Sequence, residues 1–455
     1  MLRFGTDGVR GVANLELTPE YAVALGRAAA RVLASDCFVV GRDTRVSGPL
    51  VEAALAAGIA SEGAEVVTVG VVPTPCVAWL SAADRMAGAM ISASHNPFPD
   101  NGIKLFAPGG RKLPDEVQHD LEAELATILS GDGDQPVPTG SAVGRIRPSP
   151  AMAERWADSL VRVLGGRTLS GLKVVVDTAN GAASVLAPMV LRRLGVDVQV
   201  VGDQPDGCNI NDGCGSQHPS LLQQAVVETS AQAGVAFDGD ADRLVAVDAH
   251  GGVVDGDHLL AICALDRHAR GALPGDTVVV TVMTNLGFRR SMAAHGIEVV
   301  ETAVGDRYVL EALERGGWAL GGEQSGHLIF RDLATTGDGL LSAIQLLDVM
   351  ARTGRPLAEL AAEAMVRLPQ VLVNVELARP VPAALDHLDR IVADVTGELG
   401  GRGRVVVRRS GTEPLVRVMV EAEEADVAEA MAHRIAAAAA EHYGPPAGAA
   451  PVSSA

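Results

Sequence analysis

Three aspartates spaced two apart, Asp238, Asp240 and Asp242, sit in FDGDADR directly after the apolar run AGVAF. Carboxylates at i, i+2 and i+4 in extended or turning backbone can converge on one cation, and an all-oxygen set favours Mg²⁺, Mn²⁺ or Ca²⁺ over zinc. An EF-hand loop also begins D-x-D-x-D but needs Gly in sixth place and Glu in twelfth. Arg243 and Ala249 stand there instead, which excludes that loop. The alternative is a solvated acidic turn. Drawing three like charges together without a cation is costly, so convergence and a cation go together.

A second polar run, ISASHNPFPDNGIK (residues 91–104), interrupts a chain made mostly of Ala, Val, Leu and Gly. Pro97 and Pro99 remove backbone donors and forbid a helix through it. No GxSxG elbow surrounds Ser94. His95 is adjacent in sequence, and adjacent side chains are expected to point apart, which argues against a Ser–His pair. A serine that carries a phosphoryl group needs no activating base. A phosphoserine facing three aspartates would require a bridging cation, so the two loops explain each other.

Three other stretches suit an anionic sugar. In RRSGTEPLVR (408–417) Ser410, Gly411 and Thr412 offer a backbone nest and hydroxyls, and Arg409 and Arg417 add forked donors, the equipment for a phosphate. The same stretch also reads as a hairpin turn with surface arginines. It is not a Walker loop. GGEQSGH (321–327) puts Glu323 and Ser325 in a Gly-bounded turn suited to sugar hydroxyls, with His327 as a proton carrier, although lone polar residues in turns are commonly just solvated. FGTDGVRG (4–11) permits close backbone approach and sets Arg10 towards an anion.

The positioning elements follow from composition and pattern. A chain of 455 residues is long enough for about three domains. With 48% apolar residues but only 3% aromatics, its cores must be Val, Leu, Ile and Ala, which suits buried parallel strands under Ala-rich helices. The net charge of −19, from 56 acidic and 37 basic residues, argues against nucleic acid or an anionic membrane as partner. Five cysteines (Cys37, Cys76, Cys208, Cys214, Cys263) lack CxxC spacing, which fits a reducing compartment. MLRFGTDGVRG has no apolar targeting segment, and no run approaches the ~18 apolar residues of a membrane span. The expectation is a soluble, cytoplasmic protein.

Strand–helix–strand units beginning near residues 38, 173 and 277 share one design, each opening on a continuous apolar strand of the kind buried in a parallel sheet. They predict three related α/β domains, though such units are common enough to look alike by chance. The Gly/Pro/Ser-rich stretch 131–150 reads as a linker, and the pattern changes again after Glu363. The expected partition is 1–150, 151–250, 251–365 and 366–445, with a disordered tail at 446–455.

SASHNP, DGDADR, GEQSGH and RRSGTEP, in that order along the chain, resemble the phosphoserine, metal, sugar-recognition and phosphate loops of the α-D-phosphohexomutase family. The likeness spans residues 1–445, and FGTDGVRG and the chain length resemble the branch acting on glucosamine phosphates. The resemblance implies three related α/β domains with mixed, largely parallel sheets and a smaller C-terminal α+β domain around a central cleft. It implies a phosphorylated Ser94 that joins Asp238, Asp240 and Asp242 in binding one Mg²⁺. Glu323 and Ser325 would contact sugar hydroxyls, while Arg409, Ser410, Gly411, Thr412 and Arg417 would grip the non-transferring phosphate. Lys104 and His327 are its candidates for proton transfer or charge neutralisation, and Arg10 would approach the phosphoserine. Pro99 departs from the bulkier or acidic residue of relatives and stiffens the loop.

The implied activity interconverts glucosamine 6-phosphate and glucosamine 1-phosphate through a 1,6-bisphosphate, with hexose 1,6-bisphosphate as activator and closure of the C-terminal domain excluding water. It would feed UDP-N-acetylglucosamine and peptidoglycan synthesis, in a monomer or homodimer whose partner is a small phosphosugar. The competing readings are a mutase for mannose or glucose phosphates, a metal-dependent phosphatase working through Ser94, and a non-catalytic sugar-phosphate binder.

Overall fold

Val-rich runs become the buried strands. Cys37–Arg42 lies between Glu65–Val71 and Ala87–Ile91 and is parallel to both. The computed structural model describes residues 2, 4–5, 8–131, 136–377, 385–409 and 415–443. It divides into two compact units, Met1–Thr281 with Val300–Ala362, and Val282–Val299 with Glu363–Ala455.

In the first unit, one sheet runs in the order Val9–Val12, Asp100–Ala107, Ala87–Ile91, Cys37–Arg42, Glu65–Val71, Ile146–Pro148. The helices Pro19–Leu33 and Gly48–Ser61 bury Leu25, Ala28, Leu55 and Ile59 in the same core as Phe38, Val40 and Val66. Part of the expected linker is structural. Ile146–Pro148 pairs in parallel with Val66–Thr68 and covers a sheet edge that would otherwise expose unpaired backbone groups. A second sheet runs Val253–Val254, Leu244–Asp248, Ala233–Phe237, Lys173–Asp177, Asp197–Val201. Its two pairings around Lys173–Asp177 are parallel. In a third sheet, Leu320–Gly322 is parallel to Thr277–Thr281 and antiparallel to Leu328–Phe330.

All three repeated units form strand, helix and strand as read: the helices are Gly48–Ser61, Leu186–Arg193 and Leu286–Ala294. The third unit is split, because Val282–Val299, including its helix, belongs to the second compact unit. There Leu415–Ala422 sits between Gln370–Glu376 and Gly403–Arg409, antiparallel to both. Val373, Val375, Val416, Val418 and Val420 pack with Val395 and Leu399 of the helix Asp389–Leu399 and with Ile435 of the helix Ala425–Tyr443. The fold is three α/β domains followed by a smaller α+β domain. Among the described residues no helix is long and apolar enough to cross a membrane. The tail 446–455 lies outside them.

Candidate active site

The two principal loops leave the C-terminal ends of strands, where open α/β sheets present their ligand-binding turns. The serine loop follows Ala87–Ile91 and the aspartate loop follows Ala233–Phe237. Ser94 Oγ donates to Asp238 Oδ2 at 2.6 Å, and both residues are buried. Asp238, Asp240 and Asp242 bring one carboxylate oxygen each within 4.8 Å of the others. Gly239 permits this approach: a Cβ there would lie 2.5 Å from Ser94 O and 2.9 Å from Asn211 Nδ2.

Ser94 has φ 54°, left-handed backbone that a residue with a Cβ rarely adopts. That conformation corrects the expectation for His95. The alternation of adjacent side chains holds for extended backbone, whereas here Ser94 Oγ and His95 Nδ1 are 3.3 Å apart. Burial, then the charges of Arg243 and Arg10, lower the His95 pKa to about 4, so its ring is neutral at neutral pH.

Lys104 comes from Asp100–Ala107, the strand that follows the serine loop. It is 2% exposed, and its Nζ lies 2.7 Å from Asp240 Oδ2 and 3.1 Å from Asp242 Oδ2. Arg10, on Val9–Val12, pairs with Gly102 of that same strand. Thr74 Oγ1 donates to Asp240 Oδ2 at 2.6 Å. His327 lies between two buried carboxylates, with Nε2 3.1 Å from Asp306 Oδ2 and Nδ1 3.6 Å from Asp242 Oδ1. Burial alone would lower its pKa, but the charges of Asp306 and Asp242 outweigh this and push it up to about 10. The Gly337 N–H also points at Nε2, at 3.2 Å. That bond needs a deprotonated nitrogen, and the two flanking carboxylates favour the protonated one.

The carboxylates fit a divalent cation. Asp240 Oδ1 and Asp242 Oδ1 are buried and accept no hydrogen bond among the described residues. Burial, then the charges of Asp242 and Asp240, raise the Asp238 pKa to about 7. Burial would raise Asp242 as well, but Lys104 and then His327 hold it well below the ordinary carboxylate value. A hard cation would satisfy the orphan oxygens and relieve the repulsion together.

Glu323 and Ser325 occupy the turn joining Leu320–Gly322 to Leu328–Phe330. Glu323 Oε1 accepts from Gly305 N at 3.1 Å, and burial raises its pKa. Gly326 ties this turn to the strand after the aspartate loop, since Leu244 N donates to Gly326 O at 3.0 Å. Ser94, Lys104, the three aspartates, His327 and Glu323 thus all belong to the first compact unit.

Arg409 and Arg417 belong to the second unit, and Ser410, Gly411 and Thr412 lie outside the described residues. The register pairs Arg408 with Arg417 and Arg409 with Val416. Directly paired residues share a face, so Arg408 accompanies Arg417, and Asn374 joins them from the opposite neighbour. Arg409 falls on the face of Val416 and Val418, which is the core face, and is not brought onto the face of Arg417. Sequence reasoning missed Arg408, along with Thr74 beside the aspartate loop and Asp43, Arg45 and Asn211 around the serine loop. Strand alternation in VVVRR signals Arg408; GRDTR, following a buried strand, signals Asp43 and Arg45.

Four family models match the chain. The phosphoglucomutase/phosphomannomutase alpha/beta/alpha domains I, II and III match residues 1–131, 154–252 and 255–368, and the C-terminal domain matches 372–438. The phosphoglucosamine mutase of Frankia alni is 55% identical over 448 residues, covering 95% of this chain and 97% of its own. The crystal structure of a phosphoglucomutase/phosphomannomutase family protein from Burkholderia thailandensis is 27% identical, with a TM-score of 0.81 and 98% of both chains covered. The fold is shared with the Aspergillus fumigatus N-acetylphosphoglucosamine mutase crystallised with GlcNAc-6P and magnesium, at 20% identity, a TM-score of 0.70, and 97% and 96% coverage. The chain therefore belongs to the phosphoglucomutase/phosphomannomutase family, within its group of phosphoglucosamine mutases.

Proposed function

We propose that the protein is a phosphoglucosamine mutase that interconverts glucosamine 6-phosphate and glucosamine 1-phosphate through a phosphorylated Ser94. The observation carrying this reading is the 2.6 Å bond from Ser94 Oγ to Asp238, in a buried triad whose remaining oxygens suit a cation. Phosphorylated Ser94 gives its phosphoryl group to O1 of the 6-phosphate. The resulting 1,6-bisphosphate turns end for end, and Ser94 takes the 6-phosphoryl group back. Hexose 1,6-bisphosphate serves as primer.

Asp238, Asp240, Asp242 and Ser94 would hold Mg²⁺, which when bound neutralises charge on the transferring phosphoryl group. Asp238 Oδ2 accepts a hydrogen bond from the hydroxyl of the resting serine. Lys104 adds fixed positive charge beside the triad, and His327 keeps a proton between Asp242 and Asp306. Arg10 lies near enough to His95 to lower its pKa, which suits it to an anion on the neighbouring serine. Glu323 and Ser325 contact sugar hydroxyls. Arg417, with Arg408, Ser410, Gly411 and Thr412, grips the phosphate that is not being transferred; the strand alternation favours Arg408 over Arg409 for this role.

In the same reading the four domains are divided near residues 150, 250 and 365. The protein works in the cytoplasm as a monomer or homodimer, on a small phosphosugar feeding amino-sugar and peptidoglycan precursors. The test is phosphorus NMR with Mg²⁺, a trace of hexose 1,6-bisphosphate, and glucosamine, glucose or mannose 6-phosphate in separate tubes. Fast formation of glucosamine 1-phosphate, abolished in Ser94→Ala, is expected. Preference for another sugar would overturn the substrate, and inorganic phosphate as main product would overturn the mutase assignment.

A further inference from the structure

Arg45 is a fully buried arginine outside the metal loop and the sugar turn, and all five of its guanidinium N–H donors are used. Nε donates to Asp43 Oδ2 at 2.9 Å. Nη2 donates to Ser94 O at 3.0 Å and Asn96 O at 2.7 Å, and Nη1 donates to Asp100 O at 2.9 Å and to Pro97 O. Four carbonyls of one seven-residue loop therefore converge on a single side chain. Asn211 Nδ2 donates to two of the same carbonyls, Ser94 O at 3.0 Å and Asn96 O at 3.2 Å. From the other direction, Asp43 Oδ2 accepts from Ser92 Oγ at 2.6 Å, and Ser92 Oγ accepts from Ser94 N at 2.9 Å.

The loop has few bonds of its own: Asn96 N donates to Ala93 O at 3.1 Å, Asp100 N to Pro97 O at 3.2 Å and Asn96 Nδ2 to Asp100 Oδ2 at 2.9 Å. Pro97 and Pro99 have no N–H, and the left-handed turn at Ser94 takes the chain out of its strand ladder. Sparsely populated backbone of that kind persists only where its surroundings over-determine it. Here both peptide groups flanking the Ser94 Cα are tied down, the N–H by Ser92 and the C=O by Arg45 and Asn211. Fixing those two groups fixes the direction of the Cα–Cβ bond, leaving only rotation about it, which the 2.6 Å bond from Oγ to Asp238 Oδ2 sets.

We propose that Arg45, backed by Asp43 and assisted by Asn211, is the positioning residue for the phosphoryl-carrying serine. It acts through the loop carbonyls and touches no reacting atom. The inference rests on the reading that Ser94 carries the phosphoryl group. A lysine at position 45 would keep the charge but offer three donors in place of five, so charge alone would not restore the loop.

The experiment compares wild type, Arg45→Lys, Asn211→Ala and Ser94→Ala as full-length proteins with Mg²⁺, hexose 1,6-bisphosphate and glucosamine 6-phosphate. It measures kcat, KM and the melting curve of each. A misdirected serine lowers kcat by about 100-fold in Arg45→Lys and about 10-fold in Asn211→Ala, with KM within about twofold and a cooperative melt retained. If Arg45→Lys does not fold, Asn211→Ala decides. Folded variants with wild-type kcat and only a lowered melting point, alongside an inactive Ser94→Ala, would reduce Arg45 to a structural residue. An active Ser94→Ala would instead overturn the role of the serine itself, and the positioning role with it.

Discussion

Lys104 and Asp240 form a buried ion pair, with Nζ 2.7 Å from Oδ2 across a sequence separation of 136 positions. The lysine sits on the strand after the serine loop and Asp240 in the aspartate loop, so one bond ties that strand to the aspartate loop. Removing the lysine leaves three buried carboxylates without their nearest cation. Lys104→Met should lower kcat by at least about 100-fold and destabilise the metal-free protein by about 3–5 kcal/mol. Steady-state kinetics and chemical denaturation read the two effects separately, and a variant of wild-type kcat would remove Lys104 from the chemistry.

Asp238 should make the protein's stability, and its uptake of a divalent cation, depend on pH. Burial and the neighbouring charges of Asp242 and Asp240 push the Asp238 pKa in the folded protein up to about 7, above the ordinary aspartate value. A raised carboxyl contributes stability that is complete below the unfolded value and is lost as pH rises through the folded one. The melting point of the metal-free protein should therefore fall from about pH 4 to about pH 8 on account of this group. Mg²⁺ should raise the melting point more at pH 8 than at pH 5.5, because the cation then displaces no proton. Thermal scans with Mg²⁺ or a chelator check this, and an equal Mg²⁺ effect at both pH values contradicts it.

Gly239 is the point where the loops touch. Gly239→Ala would drive a Cβ into the Ser94 carbonyl, 2.5 Å away and part of the backbone. The expected result is a loss of about 1–3 kcal/mol of stability and a large fall in kcat. Denaturation curves and mutase assays measure both; unchanged values would show that the loops separate at little cost.

The C-terminal sheet distinguishes two neighbouring arginines. Arg408→Ala or Arg417→Ala should raise KM for the phosphosugar by about 10- to 100-fold, the loss of a charged hydrogen bond or two. Arg409→Ala, on the core face, should change KM by less than about threefold. If Arg409→Ala raises KM as much as Arg408→Ala does, strand alternation does not govern the grip.

Glu421 is fully buried and receives Arg404 Nε at 2.9 Å, Gln370 Nε2 at 2.8 Å and Leu286 N at 3.1 Å. Arg404 also donates to Val282 O and Thr284 O. Arg404→Met would strand the carboxylate, so the unit containing residues 363–443 should lose about 3–5 kcal/mol. Calorimetry should show its transition moving to lower temperature, and an unmoved transition would mean that water or relaxation compensates.

The amino-acid sequence by itself determined the local chemistry. Val-rich runs bounded by Gly dictate buried strands, three carboxylates two residues apart dictate a candidate cation site, and two prolines keep the serine loop out of a helix. These depend on neighbours within a few residues, which a sequence displays directly. Tertiary structure alone decided which distant groups meet: Ser94 with Asp238, Lys104 with Asp240, and the guanidinium of Arg45 with four loop carbonyls. It also decided that His95 turns towards Ser94, because a left-handed φ cancels the alternation assumed for adjacent residues. The choice between Arg408 and Arg409 depended on strand register, since a shift of one residue exchanges the two faces of a sheet.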